Sequence, residues 1–481
     1  MVFSSLLFVF LFLALCYGCY YLTKTIKARN IILLVSSLIF YAWGGPVLAL
    51  LLCLMTFVCW GGAWLVDETH IHSARKALCI VTVSICLAIL IIFKYSGFVF
   101  TTAFSLFGKA SPIPSVALPI GISFYTFQLI SYVIDVYRGE VAAQRKYHLL
   151  LLYASLFHQC IAGPIVRYAD VNNDIENRIL KREEISAGIS RFSVGLAKKA
   201  ILANGCGTIC DRIFNDANGI LLDADAISSL SSGAIILGCF CYMLQIYLDF
   251  SAYSDMAIGM GLMVGFHYKE NFNYPYIADS VTDFWRRWHM SLSSFFRDYV
   301  YIPLGGNRVS IPRHIFNMFV VWALTGIWHG ANWTFIFWGL FFFVFLIIEK
   351  YLIKPRKDPK IRWRIPRILL TQIIVFFSFI IFKFTDLSGL GAVLKGIFVS
   401  GSSSFSDPQT SSMFTNNVFF IFASILACTP IIPAVCKLAD KHEATGRVKA
   451  VACAVIPTLL LILSAFALAG DSYNPFLYFQ F

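Results

Sequence analysis

The residues best suited to chemistry lie in one stretch, Asp283 to Asn332. It opens with Asp-Phe-Trp-Arg-Arg-Trp-His, ending at His289, and closes with Trp-His-Gly-Ala-Asn, in which the histidine is His329. Arginine, tryptophan and histidine concentrate here within an otherwise apolar background. An imidazole among apolar groups resists protonation, which suits a general base that removes a proton from a hydroxyl. The stretch is therefore the first candidate for a site.

The depth of His329 follows from the apolar run that contains it, Ile315 to Ile348, which has 34 residues and no formal charge. As one helix it would reach about 50 Å, too long for a bilayer of roughly 30 Å, so we expect a break near Gly330. Two arms of roughly 22 to 29 Å then leave His329 inside the membrane, where ionisable residues are candidates for function. The alternative is a structural histidine bonded to a neighbouring carbonyl.

His289 lies on a predicted helix from Phe284 to Tyr299, at the boundary between its two faces. At about 100° per residue the bulky apolar side chains fall on one arc, and Arg286 and Arg287 fall opposite them. The arc holds Phe284, Trp285, Trp288, Leu292, Phe295, Phe296 and Tyr299. This pattern is typical of a helix lying in the membrane interface. The alternative to a site is that these aromatic residues and arginines only anchor the helix at the headgroups.

A second apolar run, Gly233 to Phe266, carries unexpected polar residues. These are Gln245, Asp249, Ser251, Ser254 and Asp255. Its carboxylates are candidates to pair with Arg286 or Arg287, or to orient an imidazole. The structural alternative, which we favour, is a buried charge pair that holds helices in register.

Composition decides the broad class of protein that must position these residues. The chain has 481 residues, of which 58% are hydrophobic and 13% charged, so it is a polytopic membrane protein. Its net charge of +12 comes from basic residues in short loops between apolar runs, which indicates topology rather than nucleic-acid binding. Most of the 14 cysteines lie in apolar runs, and Cys16 and Cys19 form a lone pair without a nearby histidine, so we expect no metal site.

Apolar runs recur along the whole chain, and several are too short to cross a bilayer alone. Such breaks are tolerated only where protein or a water-filled cavity surrounds them, so we expect an all-α bundle of about 11 to 13 transmembrane or re-entrant helices around a membrane-crossing chamber. The runs are 3–22, 31–43, 46–66, 77–93, 95–107, 116–134, 148–163, 187–203, 232–266, 315–348, 367–384, 414–436 and 450–469. Without a repeat or a long linker, a single integral membrane domain over 1–481 is predicted.

Basic residues also predict the orientation of both ends. The first run precedes Lys24, Lys27 and Arg29, which suits a first span with the N-terminus outside. A strongly basic loop from Lys350 to Arg367 is expected in the cytoplasm, and three further crossings leave the aromatic tail 471–481 outside.

Other catalytic templates are absent from the sequence: it has no GxSxG, P-loop, HExxH or GxGxxG followed by an acidic residue. Histidine-centred acyl or proton chemistry remains, with transport as the alternative. A transporter or channel for an acyl carrier or glycan would use the polar chamber as its pore.

The order of motifs along the chain resembles the membrane-bound O-acyltransferase (MBOAT) family, in its bacterial alginate O-acetylase-like branch. The stretch from Asp283 to Asn332 is one of these motifs. The others are Ser131 to Gly139, Ile161 to Tyr168, Gly195 to Lys199, Gln245 to Asp255, Glu270 to Tyr276 and the tail Asn474 to Phe481. His158 departs from the branch, which usually has proline there, and Ala252 replaces a common glycine.

The resemblance implies acyl transfer, with His329 as the near-invariant family histidine and His289 as a second site histidine. It implies a cytoplasmic thioester donor, acetyl-CoA or another, with no bound cofactor, and an envelope or secreted polysaccharide as acceptor, such as an alginate-like exopolysaccharide or peptidoglycan. A periplasmic or extracellular SGNH-type partner and a bacterial inner-membrane location are also implied. Transfer of D-alanine or another acyl group to teichoic acid is the alternative within the class.

Further site residues are expected around the two histidines. Arg286 and Arg287 are candidate contacts for donor phosphates, and Trp285, Asp249 and Asn332 are candidate substrate contacts. Tyr478, in the outward tail, resembles the tyrosine of related envelope acylation systems and is expected to accept the acyl group through its phenol and pass it on. The alternative for Tyr478 is an aromatic anchor at the membrane interface.

Overall fold

The computed structural model describes residues 3–109, 118–161, 163–353, 361–402, 404–441 and 443–470. Across these ranges the secondary structure is helical, apart from an isolated β-bridge between Asn215 and Leu221. Seven helices in them are long and apolar enough to cross a membrane, which confirms the predicted all-α polytopic class. They are Pro46–Glu68, His72–Ser105, Ser232–Met263, Trp333–Ile353, Arg364–Lys383, Pro408–Ala427 and Val451–Gly470.

The α-helices are numbered in chain order. They are α1 (Leu13–Leu22), α2 (Ile26–Ala42), α3 (Pro46–Glu68), α4 (His72–Ser105), α5 (Ile122–Arg138), α6 (Tyr147–Ser155), α7 (Phe157–Cys160), α8 (Tyr168–Asn177), α9 (Arg182–Ala197), α10 (Asn204–Phe214), α11 (Ala224–Ser228), α12 (Ser232–Met263), α13 (Val281–Arg287), α14 (Met290–Phe296), α15 (Ile311–His329), α16 (Trp333–Ile347), α17 (Ile361–Lys383), α18 (Leu387–Phe398), α19 (Pro408–Ala427), α20 (Ile431–Ala439) and α21 (Glu443–Gly470). Short π-helical segments extend some of them: Leu7–Phe12, Lys198–Ala203, Arg297–Tyr301 and Ile348–Ile353.

Three of the predicted runs have different boundaries in the structure. The runs 77–93 and 95–107 form the single helix α4, because the Lys94 that separates them is a good helix former and breaks only the apolar pattern. The run 414–436 is instead divided between α19 and α20 near Pro430, since proline cannot continue the hydrogen-bonding ladder of the preceding helix.

The chain packs as two compact units, the first formed by Met1–Ser193 and Tyr253–Glu270. In this unit α1 closes the C-terminal end of α12, whose last carbonyls have no partner within the helix. Three tyrosine hydroxyls donate to carbonyls there: Tyr17 to Met260 (2.8 Å), Tyr20 to Val264 (2.7 Å) and Tyr21 to Met263 (2.6 Å). The three hydroxyls therefore satisfy backbone carbonyls at this helix end.

The second unit comprises Val194–Ala252 and Asn271–Phe481 and holds an aromatic-rich core. Its central feature is the antiparallel pair α15 and α16, which approach closely at two glycines. A Cβ on Gly326 would lie 2.4 Å from the Phe335 carbonyl oxygen, and one on Gly339 would lie 2.3 Å from that of Trp322. The glycines therefore set the spacing of this hairpin. These are units of internal packing, and the single domain over 1–481 stays a prediction.

Candidate active site

His329 is the last residue of α15, at the tip of the hairpin. Gly330 follows in extended conformation, and Asn332 begins α16 by accepting a hydrogen bond from the Thr334 backbone N–H at 3.1 Å. The predicted break in the long apolar run is thus confirmed at Gly330. The structure places Asn332 as a helix cap, so its contact with substrate stays a prediction.

The imidazole of His329 is enclosed by aromatic rings and is only 4% exposed. The ring centroids of Trp338, Trp328 and Phe382 lie 4.7, 4.9 and 5.4 Å from that of His329. All three pairs are edge-to-face, the arrangement that aromatic quadrupoles favour. Packing on several sides therefore fixes the orientation of the ring and shields it from water.

The helix predicted from Phe284 to Tyr299 is wrong as one continuous element. α13 ends at Arg287, α14 begins at Met290, and His289 between them adopts a left-handed conformation with φ 43° and ψ 54°. That conformation costs a residue other than glycine about 1 to 3 kcal/mol and persists only where the surroundings impose it. Periodicity missed the break because the same apolar arc is buried on both sides of it, from Phe284 to Phe296.

His289 is fully buried in the second unit, and the Trp328 ring contacts both His289 and His329. The centroid of the Trp328 ring is 5.9 Å from that of His289 and 4.9 Å from that of His329. On another side Phe250 meets the His289 ring edge-to-face at 4.7 Å. Burial lowers the pKa of the His289 imidazole below its ordinary value. The candidate site therefore contains two histidines that both contact the Trp328 ring, and burial disfavours the charged form of His289.

Asn271 holds His289 in place, and sequence reasoning did not single it out. Its side-chain Oδ1 lies 3.2 Å from His289 Nδ1 and accepts hydrogen bonds from the backbone N–H (3.2 Å) and the hydroxyl (2.8 Å) of Ser291. Its backbone carbonyl accepts the Met290 N–H at 2.9 Å. Asn271 lies 18 positions before His289, so no local sequence pattern predicts this contact. The one indication in the sequence that Asn271 is functional is its place in the Glu270 to Tyr276 motif.

Trp285 connects α13 to the hairpin. Its ring packs against Trp322 at 4.7 Å, Phe342 at 5.0 Å and Trp338 at 5.8 Å, and Trp338 in turn contacts His329. Its indole N–H is buried and finds no acceptor among the described residues. The predicted site residues Trp285, His289 and His329 therefore share one aromatic cluster.

The two arginines of α13 have different surroundings. Arg287 Nε donates to Asp283 at 2.8 Å, and its Nη1 donates to the Asn273 carbonyl. Arg286 is exposed and forms no ion pair within the described ranges. Arg286 is thus the better placed of the two to meet an anionic ligand.

The structure pairs the two carboxylates of α12 with residues other than the candidates Arg286 and Arg287. Asp249 instead pairs with Lys199 at 2.9 Å, both side chains almost fully buried, because the π-helical segment after α9 brings that lysine to α12. Asp255 belongs to the first unit and pairs with Arg191 at 3.0 Å. The Asp249 pair matches the structural alternative, and a substrate contact for Asp249 stays a prediction. Tyr478 lies outside the described residues.

Comparison with known proteins places this fold and site in a class. The model of the membrane-bound O-acyltransferase family, MBOAT, matches residues 32–388. The chain therefore belongs to the MBOAT family and is an integral, multi-pass membrane O-acyltransferase. This supports acyl transfer over the alternative class of a transporter or channel.

Sequence matches to individual relatives cover different shares of the chain. It is 35% identical to the "Probable alginate O-acetylase AlgI" of Azotobacter vinelandii, over 100% of both chains. It is 31% identical to the "Peptidoglycan O-acetyltransferase" of Helicobacter pylori, over 100% of this chain and 98% of the relative. It is 29% identical to the "Teichoic acid D-alanyltransferase" of Bacillus subtilis, over 56% of this chain and 68% of the relative.

Proposed function

We propose that the protein transfers acetyl groups to a polysaccharide of the cell envelope or to a secreted one, with an alginate-like exopolysaccharide or peptidoglycan as the acceptor. Support comes from relatives that match the whole chain and are named for O-acetylation of alginate or peptidoglycan. The acetyl group comes from acetyl-CoA or another thioester on the cytoplasmic side, which is a substrate rather than a bound cofactor.

The observation that carries the chemistry is the position of His329 at the hairpin tip inside the aromatic cluster. His329 removes the proton of the attacking hydroxyl, whose oxygen then forms a bond to the thioester carbonyl carbon. The carbon–sulfur bond breaks, and the thiolate leaves and takes up a proton. His289 orients the reactants or acts as the second acid–base group, and Trp285 with its buried N–H is a candidate hydrogen-bond donor to substrate.

The remaining contacts follow from exposure and topology. Arg286 is exposed and meets the phosphates of the donor. The protein lies in a bacterial inner membrane with its N-terminus and its tail outside, and a periplasmic or extracellular SGNH-type partner passes the acetyl group to the polymer. Tyr478 of the tail accepts the group through its phenol before the partner does. Recovery of acyl-tyrosine in the C-terminal peptide during turnover would support this relay, and normal activity of Tyr478→Phe would contradict it.

The proposal is tested by identifying the acyl group that a deletion strain loses from its envelope. We expect loss of O-acetyl, restored by the wild-type gene and not by His329→Ala inserted at the same level. A strain that loses no ester, or one rescued by His329→Ala, would contradict the proposal.

D-alanyl transfer to teichoic acid is the second candidate, favoured by the match to the Bacillus subtilis relative. That match covers about half of this chain, whereas the O-acetylation relatives cover all of it. Loss of D-alanine ester with O-acetyl unchanged in the deletion strain would favour this second function.

A further inference from the structure

The contacts around Asn271 determine which ring nitrogen of His289 carries the proton. The side-chain oxygen and nitrogen of an asparagine are distinguished only through their partners. Here the backbone N–H of Ser291, which can only donate, lies 3.2 Å from the atom assigned as Oδ1. That atom must therefore be the oxygen.

The identity of this oxygen constrains the histidine. His289 Nδ1 lies 3.2 Å from the same oxygen, and an unprotonated Nδ1 would direct its lone pair at another lone pair. The Ser291 hydroxyl, 3.4 Å from Nδ1, donates its only proton to the Asn271 oxygen at 2.8 Å and so does not supply a donor to Nδ1. We therefore infer that Nδ1 carries the hydrogen and donates it. In a neutral imidazole Nε2 is then the accepting nitrogen.

The other ring nitrogen has different surroundings. His289 is fully buried, and its Nε2 has no hydrogen-bond partner among the described residues. The groups that face the ring are the aromatic side chains of Phe250, Phe272 and Trp328, together with Asn271 and Ser291, and none of them is charged. A buried acceptor without a donor is costly unless a ligand supplies one.

We propose that Asn271 is a positioning residue that holds His289 as the Nδ1–H tautomer, so that Nε2 is the atom that accepts a proton or hydrogen bond from a reacting group. The inference rests on the proposed function, in which His289 belongs to the site. Asn271 also stabilises the left-handed backbone conformation of His289, because its backbone carbonyl accepts a hydrogen bond from the N–H of Met290, the next residue. Both contacts hold the imidazole in place.

A direct test is the nitrogen NMR of histidine in the purified protein, with His289→Phe used to assign the signal. We expect the His289 signal to show a protonated Nδ1 and an unprotonated Nε2 at neutral pH. A protonated Nε2 would overturn the tautomer and leave the proposed function standing. Wild-type activity in His289→Phe would instead remove His289 from the reaction.

The pH profile of Asn271→Asp distinguishes a residue that controls the protonation of His289 from one that only stabilises the fold. A carboxylate next to Nδ1 favours the imidazolium, so the acidic limb that His289 contributes to kcat, which lies below about pH 6 in the wild type, should move upward by about one pH unit or more. Asn317→Asp is the matched control, because Asn317 is equally buried in the same unit but donates to the carbonyls of Leu304 and Gly306 rather than contacting a histidine. Its acidic limb should coincide with that of the wild type. An unmoved limb in Asn271→Asp, or an equal shift in both variants, would overturn the proposal.

Discussion

Two fully buried histidines, one in each unit, differ in how their ring nitrogens are bonded. In the first unit His158 Nδ1 meets the Tyr268 hydroxyl at 3.0 Å, and Nε2 meets the Tyr17 hydroxyl at 3.4 Å. In the second unit His289 Nδ1 is held by Asn271, while Nε2 finds no partner within the described ranges. His158 is the departure from the branch pattern noted in the sequence, and the structure accommodates it within a tyrosine cluster.

This difference in hydrogen bonding indicates a structural role for His158 and leaves His289 available to a substrate. The phenol of Tyr17 donates to the Met260 carbonyl, so its oxygen can accept from His158 Nε2, and Tyr268 can donate to Nδ1. Every polar atom of the His158 ring is then used. At His289, by contrast, Nε2 has no partner among the described residues, so it is the atom on which a ligand could act.

The Asp249 and Lys199 pair should behave like His158, because each charge is satisfied by the other. Lys199→Met should destabilise the protein by about 3 to 5 kcal/mol, since it leaves a buried carboxylate unpaired. The measurement is thermal unfolding of the purified variant in detergent.

The double variant Lys199→Met with Asp249→Leu sharpens this prediction. Removing both charges should recover most of the lost stability and leave acyl transfer close to the wild-type rate. A double variant that folds well but cannot transfer would show that Asp249 contacts substrate, as the sequence first suggested.

The variant His158→Phe tests the structural role of His158. It leaves Tyr268 without its partner inside the unit, and a buried unsatisfied group costs about 1 to 3 kcal/mol. We expect a lower melting temperature with unchanged activity per folded molecule, measured on fractions separated by size exclusion. Loss of turnover in a fully folded variant would break the contrast between the two histidines.

Arg286 and Arg287 provide a smaller contrast within one helix. Arg286→Ala should raise the KM for the thioester donor about tenfold or more, because a charge-assisted hydrogen bond contributes about 1.5 to 3 kcal/mol and about 1.4 kcal/mol is tenfold. Arg287→Ala removes a partly exposed pair with Asp283, worth about 1 kcal/mol or less, and should change KM less. Equal effects in donor titrations would show that exposure does not distinguish the two.

The pH dependence of the wild type gives the smallest expected change. Burial lowers the pKa of His289, so the ring stays neutral as pH falls through about 6.5, where an ordinary histidine becomes charged. Transfer should therefore show no loss assignable to His289 between about pH 8 and 6. In wild type and His289→Gln compared side by side, an acidic limb near 6.5 present only in the wild type would contradict this.

Sequence predicted the parts of this site that depend on local chemistry. The length of the apolar run was enough to predict the hairpin break at Gly330, because a helix of 34 residues is longer than a bilayer is thick. Periodicity predicted which side chains from Phe284 to Phe296 are buried. It could not predict the left-handed turn at His289, because the contacts that impose that turn come from Asn271, distant in the chain.

Long-range charge pairing was equally beyond the sequence. The sequence indicated Arg286 and Arg287 as candidate partners of the α12 carboxylates, and only packing shows that Asp249 pairs with Lys199. The close approach of α15 and α16 at Gly326 and Gly339 likewise depends on which faces meet. Residue identities therefore indicated the two site histidines, whereas their bonding became visible only in the fold.

If His329 performs the acyl-transfer chemistry, purified protein that lacks this imidazole must lose acyl transfer. Labelled acetyl-CoA is incubated with wild type and with His329→Ala, matched for melting temperature, and transfer to an added acceptor is followed. Loss of a general base predicts a rate at least about 100-fold lower in the variant. Transfer by a folded His329→Ala variant at the wild-type rate would show that His329 is not the general base.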